Sequence, residues 1–446
     1  MAKRAPNREL GLLLEESNWT HRQFARAVNR VGTENGTPLR YDESAVSHWL
    51  SGTLPRPSVR ACILEALSRR LGRPVTHAEA ALPAAPGRAE HPGDTVEALI
   101  DLGRQDMDPS RRSVLGAGLF SVALTIPCWP DVIGRAEAAE SGRLSRIGMN
   151  EVDMVVAMTE RVSDLDDQFG GRHARPMAAS FMVNTVASYL HADASDSVRR
   201  AMLSAASDLL YLTGYMAVDE GLHGLAQRYY VKALELAVAA EDHLTYCTTL
   251  RGMSVQAVDL RHGAKARELA DAAASASPKA GPRMRAFLAG QQAHTAAQTG
   301  DRTNALRFIR EAEAAMDRAE SRGKPFGSYD PSSLNYHISQ VRYELGDVHG
   351  AVNAMQQSDK VRHGVYRRAR VRHRATLAER QLEIGHLEAA CATWNLALDD
   401  YPMVQSGRAD DRIKAMLALI RPHLRNASAG ALYERARTVV RPALLA

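Results

Sequence analysis

The sequence has few cysteines and few aromatic residues. Four cysteines are spread over 446 residues, Cys62, Cys128, Cys247 and Cys391, with no CxxC pair. This spacing argues against a structural zinc site or a disulfide framework, and it is typical of a protein in a reducing cytosol. Aromatic residues make up only 5% of the chain, and sustained alternating runs of Val, Ile and Thr are absent. We therefore expect no β-sheet and an all-α fold.

The sequence also lacks the common signatures of catalysis and of export. It has no GxGxxG, P-loop, GxSxG or HExxH motif, and its 16 histidines are dispersed without metal-ligand spacing. We therefore expect no enzyme activity, no metal and no cofactor. The N-terminus has no apolar segment of the secretory type, so we expect a cytoplasmic protein that does not enter a membrane.

A short pattern recurs five times between Gly214 and Ala397. Five positions, called the marks below, fix its phase: Gly221, Arg261, Gly300, Gly346 and Gly385. Alanine stands five residues after each mark: Ala226, Ala266, Ala305, Ala351 and Ala390. A small residue stands twelve residues after each mark: Ala233, Ala273, Ala312, Ser358 and Ala397. Another stands seven residues before it: Gly214, Ser254, Ala293, Ser339 and Ala378. Small side chains at helical spacing let two helices approach closely, and glycine allows the tight turn between them.

These three columns of small residues resemble the tetratricopeptide repeat (TPR), whose paired helices carry small residues at the same places. The resemblance implies a solenoid of helical hairpins. The marks lie about 40 residues apart, against roughly 34 in the usual repeat, so we expect longer helices or turns. One interval, Gly300 to Gly346, is 46 residues long. We expect the excess, Ser321 to Ser333, to form a protruding loop.

Residues 1–82 form a basic module on a nearly neutral chain. They contain 12 Lys or Arg and 8 Asp or Glu, a net of +4, and the whole chain has a net of +5. Their apolar spacing predicts four short helices. We expect Thr20 to cap the second helix and Asp42 the third, with Val46 and Trp49 facing inward. The module either binds a polyanion or has a chance excess of charge in an arginine-rich chain.

The stretches WTHRQFARAVN and YDESAVSHWLSGTLPRP resemble the helix-turn-helix of lambda-repressor-like (Xre-type) DNA-binding domains, over about residues 7–74. The shared features are a capping Thr before an apolar-Ala pair, a SxVSxW helix, and a glycine before a basic-proline run. The resemblance implies base contacts from the third helix and phosphate contacts beside it. The implied DNA-contact residues are His21, Arg40, Glu43, Ser44, Ser47, His48 and Arg56. The loop before the third helix is about ten residues longer than in the family.

These patterns divide the chain into four regions. They are a helix-turn-helix domain (1–82), a linker (83–110), divergent capping helices (111–200) and the TPR-like repeat domain (201–446). The linker contains the stretch PAAPGRAEHPGD, typical of a flexible tether. The segment Arg111 to Pro127 looks like a twin-arginine export signal. Because its apolar run is shorter than the roughly 20 residues of a membrane-spanning helix, we favour a buried helix at the start of the helical body.

A basic run from Lys360 to Arg374 contains seven Lys or Arg residues. Arg367, Arg370 and Arg374 fall on one face of the predicted helix. This face is either an anion site in the repeat groove, for a peptide carboxylate, an acidic partner or DNA, or a solvated outer face. Four asparagines are either a clamp for a peptide backbone or turn residues: Asn184, Asn304, Asn335 and Asn353.

The two resemblances together imply a sequence-specific transcriptional regulator of the Xre/TPR type known from actinomycetes. Its partners would be a double-stranded DNA operator, a second copy in a homodimer, and a peptide, small molecule or protein in the repeat groove. The alternative is a cytosolic TPR scaffold or adaptor that binds proteins without specific DNA binding. A preferred DNA sequence with a steep salt dependence would separate the two.

Overall fold

A computed structural model describes residues 6–34, 38–71, 73, 75–83, 95–107, 146–276, 280–319 and 329–440. Every regular element in these residues is helical, so the all-α prediction is confirmed for them. The chain divides into two compact units. The first comprises residues 1–152, 179–214 and 222–269, and the second comprises 153–178, 215–221 and 270–446. The N-terminal module therefore shares a unit with the first repeats.

Four helices form the N-terminal module: α1 (Arg8–Glu16), α2 (His21–Glu34), α3 (Glu43–Leu50) and α4 (Pro57–Leu71). Their apolar faces meet in one core, which includes the fully buried Leu10, Phe24, Val46, Ile63 and Leu67. The predicted caps are confirmed. The Thr20 hydroxyl accepts from the Gln23 N–H at 3.2 Å, and the Asp42 carboxylate accepts from the Ala45 N–H at 3.0 Å.

Part of the predicted linker is a helix, α5 (Thr95–Met107). Val96, Leu99 and Leu102 recur every third residue and are buried. The Tyr229 hydroxyl donates to the Asp106 carboxylate at 2.9 Å, which holds α5 against the repeat helix that carries Tyr229. The linker prediction is therefore wrong for residues 95–107, because the neighbouring Pro- and Gly-rich stretch obscured a short apolar period. The segment Arg111 to Pro127 and residues 321–328 of the predicted loop lie outside the described residues.

The helical body begins with α6 (Met149–Phe169), α7 (Gly171–Phe181), a π-helical turn (Met182–Val186) and α8 (Ala187–Leu190). Five pairs of helices follow in the order that the repeats predicted. They are α9 (Asp196–Asp219) with α10 (His223–Ala239), α11 (His243–Asp259) with α12 (Gly263–Ser275), α13 (Pro282–Gln298) with α14 (Arg302–Asp317), α15 (Pro331–Glu344) with α16 (Val348–Val361), and α17 (Arg367–Glu383) with α18 (Leu387–Asp400). Two further helices follow the repeats, α19 (Gly407–Ile420) and α20 (Ala427–Val439).

The five marks lie at the turns between the paired helices, as predicted. All have a positive φ: 77° at Gly221, 61° at Arg261, 79° at Gly300, 85° at Gly346 and 84° at Gly385. After Gly300, the Asp301 N–H donates to the Ala296 carbonyl at 2.9 Å. A residue in the left-handed region lets the chain turn back so that this bond forms and satisfies a carbonyl at the helix end. Arg261 adopts the same conformation with a side chain, which is sterically less favourable.

The three columns of small residues lie where paired helices approach most closely. Every residue in them is buried. The Ser254 hydroxyl donates to the Ala266 carbonyl at 2.7 Å, and the Ser339 hydroxyl donates to the Ala351 carbonyl at 2.6 Å. A Cβ atom on Gly214 would lie 2.8 Å from the Tyr230 ring. Larger side chains would therefore separate the helices of a pair.

A fourth buried column stands fourteen residues before each mark and was missed in the sequence. All five members are fully buried: Ser207, Cys247, Ala286, Ser332 and Val371. The Ser207 hydroxyl donates to the Ala233 carbonyl at 2.7 Å, and the Ser332 hydroxyl donates to the Ser358 carbonyl at 2.9 Å. Because the column also contains valine, residue size alone did not reveal it.

The C-terminal part of the second unit has its own apolar core. Val371, Trp394, Tyr401, Ile413 and Leu432 are buried together there, on α17, α18, the short helical turn after α18, α19 and α20. Among the described residues, one helix, α9, is long and apolar enough to cross a membrane. Of its apolar window, 72% is buried inside the fold, as in the core helix of a folded domain.

Candidate functional site

The outward face of α3 contains most of the residues that the Xre resemblance singled out. The inward face is fixed by Trp49, whose ring lies 6.4 Å from Phe24 and 5.0 Å from Tyr41, both edge-on. Because Val46 and Trp49 occupy the core, the other side of this short helix faces outward. Four predicted contact residues are exposed there: Glu43, Ser44, Ser47 and His48.

The start of α2 lies beside this face. The Ser47 hydroxyl is 3.3 Å from His21 Nδ1, so the structure brings these two predicted residues together. Arg40 and Arg56 are exposed in the segments before and after α3. We call these seven residues the α3 surface: His21, Arg40, Glu43, Ser44, Ser47, His48 and Arg56. Two exposed guanidiniums beside short polar side chains suit a polyanion, whereas Glu43 opposes one unless it accepts a hydrogen bond.

A residue that sequence reasoning missed holds the end of the long loop before α3. The Asn29 amide donates to the Tyr41 carbonyl at 2.8 Å, and the Asn29 side-chain oxygen accepts from the Tyr41 N–H at 2.8 Å. Two hydrogen bonds with one side chain hold Tyr41, just before α3, against α2. The start of α3 therefore has a defined position relative to α2, although the loop between the two helices is long.

The N-terminal module is attached to the repeats within the first unit by a buried hydrogen bond. His262 Nε2 lies 3.0 Å from the Glu65 carboxylate, and both side chains are almost fully buried. Burial opposes ionisation of Glu65, but His262 and Arg69 outweigh it and lower the pKa of this carboxyl. Arg69 also contacts Glu34, whose pKa is raised because burial dominates there. The module is thus docked on the repeats through α4. The flexible linker predicted from the sequence did not indicate such a contact.

The arginine face of α17 is paired with carboxylates of the neighbouring helices. Arg370 lies 2.9 Å from the Asp400 carboxylate, and Arg374 lies 2.9 Å from Asp359 and 3.4 Å from Asp400. Arg367 approaches Asp400 at 4.0 Å. Sequence reasoning placed the three arginines correctly on one face but missed that Asp359 and Asp400, from α16 and α18, neutralise them. These carboxylates offset part of the positive charge of this face, and binding of an anion, a partner or DNA there stays a prediction.

The asparagines proposed as a peptide clamp are engaged locally. Asn304 donates to the capping Asp301 at 2.7 Å, Asn184 to Ser180 at 3.0 Å, and Asn335 to the Pro331 carbonyl at 2.8 Å. These three asparagines therefore lie within helices rather than in turns, and their side chains bond to groups of their own helix or its cap.

One arginine on α17 is buried among carboxylates. Arg368 lies 3.0 Å from Asp166, 3.1 Å from Asp167 and 3.6 Å from Asp219; we call these four residues the Arg368 cluster. Burial opposes the charge of Arg368, but the three carboxylates outweigh it and raise its pKa well above the usual value. Three acids face one cation, so burial and mutual repulsion raise the pKa of Asp166 to about 8. This network ties α6 and the end of α9 to α17.

A second buried arginine on the same helix has only neutral partners. Arg380 is 4% exposed. It donates to the Ser339 hydroxyl and to the Gln340 side-chain oxygen, and its guanidinium lies 4.4 Å from the Tyr343 ring centroid. Burial lowers its pKa. No carboxylate in the described part of the chain lies within ion-pair distance of Arg380.

Further side chains lie around the neighbouring Tyr336. The His373 ring stacks on the Tyr336 ring at 4.3 Å with an interplanar angle of 10°, and the Gln340 amide donates to the Tyr336 hydroxyl at 2.9 Å. Arg362, which caps the C-terminal end of α16, is also buried enough that burial lowers its pKa. We call the side chains joined by these contacts the Tyr336 cluster: Tyr336, Gln340, Tyr343, His373 and Arg380.

The repeat alignment contains a signal for Arg380 that sequence reasoning missed. Arg380 stands five residues before its mark. The equivalent residues in the other four copies are uncharged and buried: Met216, Gln256, Thr295 and Val341. A charge at a position that the repeat buries elsewhere predicts either an internal counter-ion or a ligand. Among the described residues no cluster of His, Cys, Asp and Glu is arranged to hold a metal ion.

Comparison with known proteins gives one family match, on the N-terminal module. Residues 10–83 match the model of the SP15 N-terminal domain, which is not the Xre-type family expected from the sequence. The match spans far less than half of the chain, so it describes this module alone. No curated protein matches the chain.

Two solved structures are similar over most of the chain at low identity. A structure of an IFIT1 monomeric mutant with Gppp-AAAA is 15% identical, with 94% of this chain and 86% of that chain covered and a TM-score of 0.35. The APC/C hetero-tetramer Cut9–Hcn1 is 14% identical, with coverages of 91% and 68% and a TM-score of 0.31. At these TM-scores neither likeness carries an argument, and the helical-hairpin architecture rests on the structure itself.

Proposed function

We propose that the chain is a non-catalytic interaction scaffold whose repeat body binds a protein partner over α15 and α17. The observation that carries this proposal is the composition of the Tyr336 cluster. Tyr336, Tyr343 and Gln340 are half-buried on α15, and Arg380 contacts Gln340 and the Tyr343 ring. Tyrosine and arginine are enriched at the centres of protein interfaces, where they combine a large apolar area with directional hydrogen bonds.

The repeat architecture supports this reading. Stacked helical hairpins bury their small-residue columns between neighbours and leave the remaining helix faces to form a binding surface. The exposed Glu383 accepts a hydrogen bond from the Tyr343 hydroxyl at 3.0 Å, so the aromatic centre has a polar rim on α17. A partner segment with an apolar side chain for the tyrosines and a polar group beside Glu383 would fit this surface.

The test is capture of a partner from the cell of origin by the full chain, followed by titration of the purified partner. The variant Tyr343→Ser removes an interface ring. The control Tyr189→Ser removes a half-buried tyrosine ring on α8. We expect Tyr343→Ser to weaken binding by about 2 kcal/mol or more, as at an interface hot spot. The proposal fails if every captured partner binds both variants with equal affinity.

A second candidate function is binding of duplex DNA by the N-terminal module. The observation in its favour is the exposed α3 surface, in which His21 and Ser47 meet and Arg40 and Arg56 flank the helix. A short helix that presents polar side chains suits the major groove, and flanking guanidiniums suit phosphates. In this form the protein is a transcriptional regulator, with the repeat body as its dimerisation or sensing part.

Selection from a random DNA library and binding at several salt concentrations test this candidate. We expect a preferred sequence, an affinity that falls steeply with salt, and a loss of about 1–3 kcal/mol of specific binding in Ser44→Ala or His48→Ala. Ser58→Ala, an exposed serine on α4, is the control. If Ser44→Ala and His48→Ala weakened specific and non-specific binding equally, and no more than the control does, α3 would not read bases.

The regulator form also requires a dimer, because one helix-turn-helix covers only a half-site. We therefore expect full-length protein to be a dimer by light scattering at micromolar concentration. A monomer at that concentration would leave the interaction scaffold in place and remove the paired-operator form of the DNA proposal.

A further inference from the structure

The outward face of α2 carries three arginines, Arg22, Arg26 and Arg30, which we call the α2 stripe. They stand four residues apart, so they lie on one side of the helix at steps of about 6 Å along its axis. All three are exposed. The other side of α2, which contains Phe24 and Val28, is buried in the core of the module. The α2 stripe is therefore a row of positive charge that faces solvent.

The α2 stripe has no internal counter-ion. Among the described residues, no carboxylate lies within ion-pair distance of any of its three arginines. Glu34 stands one turn after Arg30, but its carboxylate is 2.5 Å from Arg69 on α4. The attraction of Arg30 for this carboxylate is smaller than that of Arg69. The charge of the stripe is thus available to a partner.

The arginines on the α4 side of the module have the opposite surroundings. Arg69 and Arg73 each contact two carboxylates, and Arg60 and Arg70 donate to backbone carbonyls. The four carboxylates are Glu34, Glu65, Glu16 and Glu79. Because the acidic groups are used on the α4 side, the excess positive charge of the module lies on α2 and around α3. Such an asymmetry favours a polyanion on that side.

The α2 stripe continues the α3 surface. Arg22 follows His21, whose Nδ1 lies 3.3 Å from the Ser47 hydroxyl on α3. Asn29, one residue before Arg30, bonds the backbone just before α3. Both ends of the stripe are therefore next in sequence to residues that contact α3 or the segment leading to it.

We propose that the α2 stripe binds the phosphate backbone of duplex DNA through charge, without reading bases. Duplex DNA carries a charge about every 3.4 Å along each strand, so a row of long cationic side chains meets several phosphates at once. Guanidinium–phosphate hydrogen bonds are strong because both groups are charged, and one guanidinium can donate two of them. Duplex DNA is favoured over an acidic protein because the stripe adjoins the α3 surface.

The proposal rests on the DNA binding proposed for the module, but not on base reading by α3. None of the three arginines is among the contact residues that the Xre resemblance implies. Contacts to phosphate carry no sequence information directly, so the stripe adds affinity and orientation rather than specificity. Its loss and the loss of base reading therefore have different signatures.

Binding of the full chain to a short duplex of random sequence, measured at several salt concentrations, tests the stripe. We expect the triple variant Arg22→Gln, Arg26→Gln, Arg30→Gln to bind more weakly. The slope of log affinity against log salt should become shallower by about 0.9 for each arginine that contacts a phosphate. The triple Arg→Lys variant at the same positions keeps the charge and should keep the wild-type slope, which separates loss of charge from damage to the fold.

The matched control removes the same charge from another part of the chain. Arg302→Gln, Arg310→Gln, Arg318→Gln changes three exposed arginines on and just after α14 and should keep the wild-type slope. An unchanged slope in the stripe variant, or an equal change in the control, would overturn the stripe and leave DNA binding by α3 in place.

Two further measurements separate the stripe from the other proposals. In the stripe variant, the ratio of specific to non-specific affinity should stay at the wild-type value, whereas Ser44→Ala and His48→Ala should lower it. If the wild-type chain binds no duplex, the stripe and the DNA function fail together. Polyglutamate is the second probe: binding to it through the stripe, with no binding to duplex, would assign the row to an acidic protein and overturn the proposal.

Discussion

Two buried arginines on one helix have opposite surroundings. Arg368 is enclosed by three carboxylates, and its pKa is raised; Arg380, twelve residues along α17, has two neutral hydrogen-bond partners, and its pKa is lowered by burial. Both guanidiniums are about 95% buried, so burial does not distinguish their roles. The difference lies in the counter-ions. A buried charge with internal partners holds a fold together, whereas one without them either costs stability or awaits a ligand.

The largest effect should come from removal of the cation in the Arg368 cluster. Arg368→Met leaves Asp166, Asp167 and Asp219 buried together without a counter-charge. We expect a loss of about 3–5 kcal/mol in the free energy of unfolding, measured with urea and circular dichroism. Arg372→Met, a half-buried arginine on the same helix, is the control and should lose less than about 1 kcal/mol. Equal losses would mean that the carboxylates do not depend on Arg368.

The next effect concerns pH and tests whether the Arg368 cluster retains a proton. The pKa of Asp166 is raised from 3.8 to about 8 in the fold. A carboxyl with a raised pKa binds its proton more tightly in the folded than in the unfolded protein. Its contribution to the free energy of unfolding is therefore complete below pH 3.8 and is lost as pH rises through 8. One proton changes stability by at most about 1.4 kcal/mol per pH unit. We therefore expect wild-type stability to decline over this range.

The variant Asp166→Asn isolates this contribution, because an amide stays uncharged at every pH. We expect its unfolding free energy to vary less between pH 4 and 8 than that of the wild type. Asp399→Asn, which removes an exposed carboxylate paired with Arg435, is the control and should keep the wild-type slope. A steeper slope in Asp166→Asn would show that Asp166 is ionised in the fold and held by Arg368.

The repeat architecture was predictable because its signal is periodic. Five copies of Ala at the same distance from a turn identify helix pairs even when each copy is divergent, and the left-handed conformation of Gly221 and Gly385 follows from the same pattern. The α3 surface was predictable for a related reason. A short amphipathic helix with Val46 and Trp49 inside leaves only one face for Ser44 and His48.

The charge pairing was not predictable from spacing along one helix. Arg370 and Arg380 look alike in sequence, as cations on α17, but Asp400 on α18 neutralises only the first. Which carboxylate reaches which arginine depends on how neighbouring helices pack, and the spacing along a single helix does not show this. Helix α5 was missed for another reason. Its apolar pattern has only three residues, too few to stand out beside a Pro- and Gly-rich stretch.

A smaller effect is expected where a paired arginine face is opened. Asp400→Asn leaves Arg367 and Arg370 without their carboxylate and Arg374 with Asp359 alone. Since these groups are partly exposed and solvent screens them, we expect a loss of about 1 kcal/mol or less. The loss should shrink at high salt, measured by melting temperature at two ionic strengths. Asp399→Asn serves again as the matched control, and a loss unaffected by salt would mean that Asp400 acts by packing.

The smallest effect on stability should come from Arg380 itself. Arg380→Met removes a buried guanidinium whose desolvation no carboxylate offsets, and it leaves the Gln340 oxygen without this donor while Ser339 still donates to the Ala351 carbonyl. A gain and a loss of similar size nearly cancel, so we expect a change within about 1 kcal/mol of zero without added anion. Urea unfolding beside Arg368→Met measures the contrast directly. If the two variants were equally destabilised, Arg380 would be a structural cation like Arg368, and the distinction between the two surroundings would not hold.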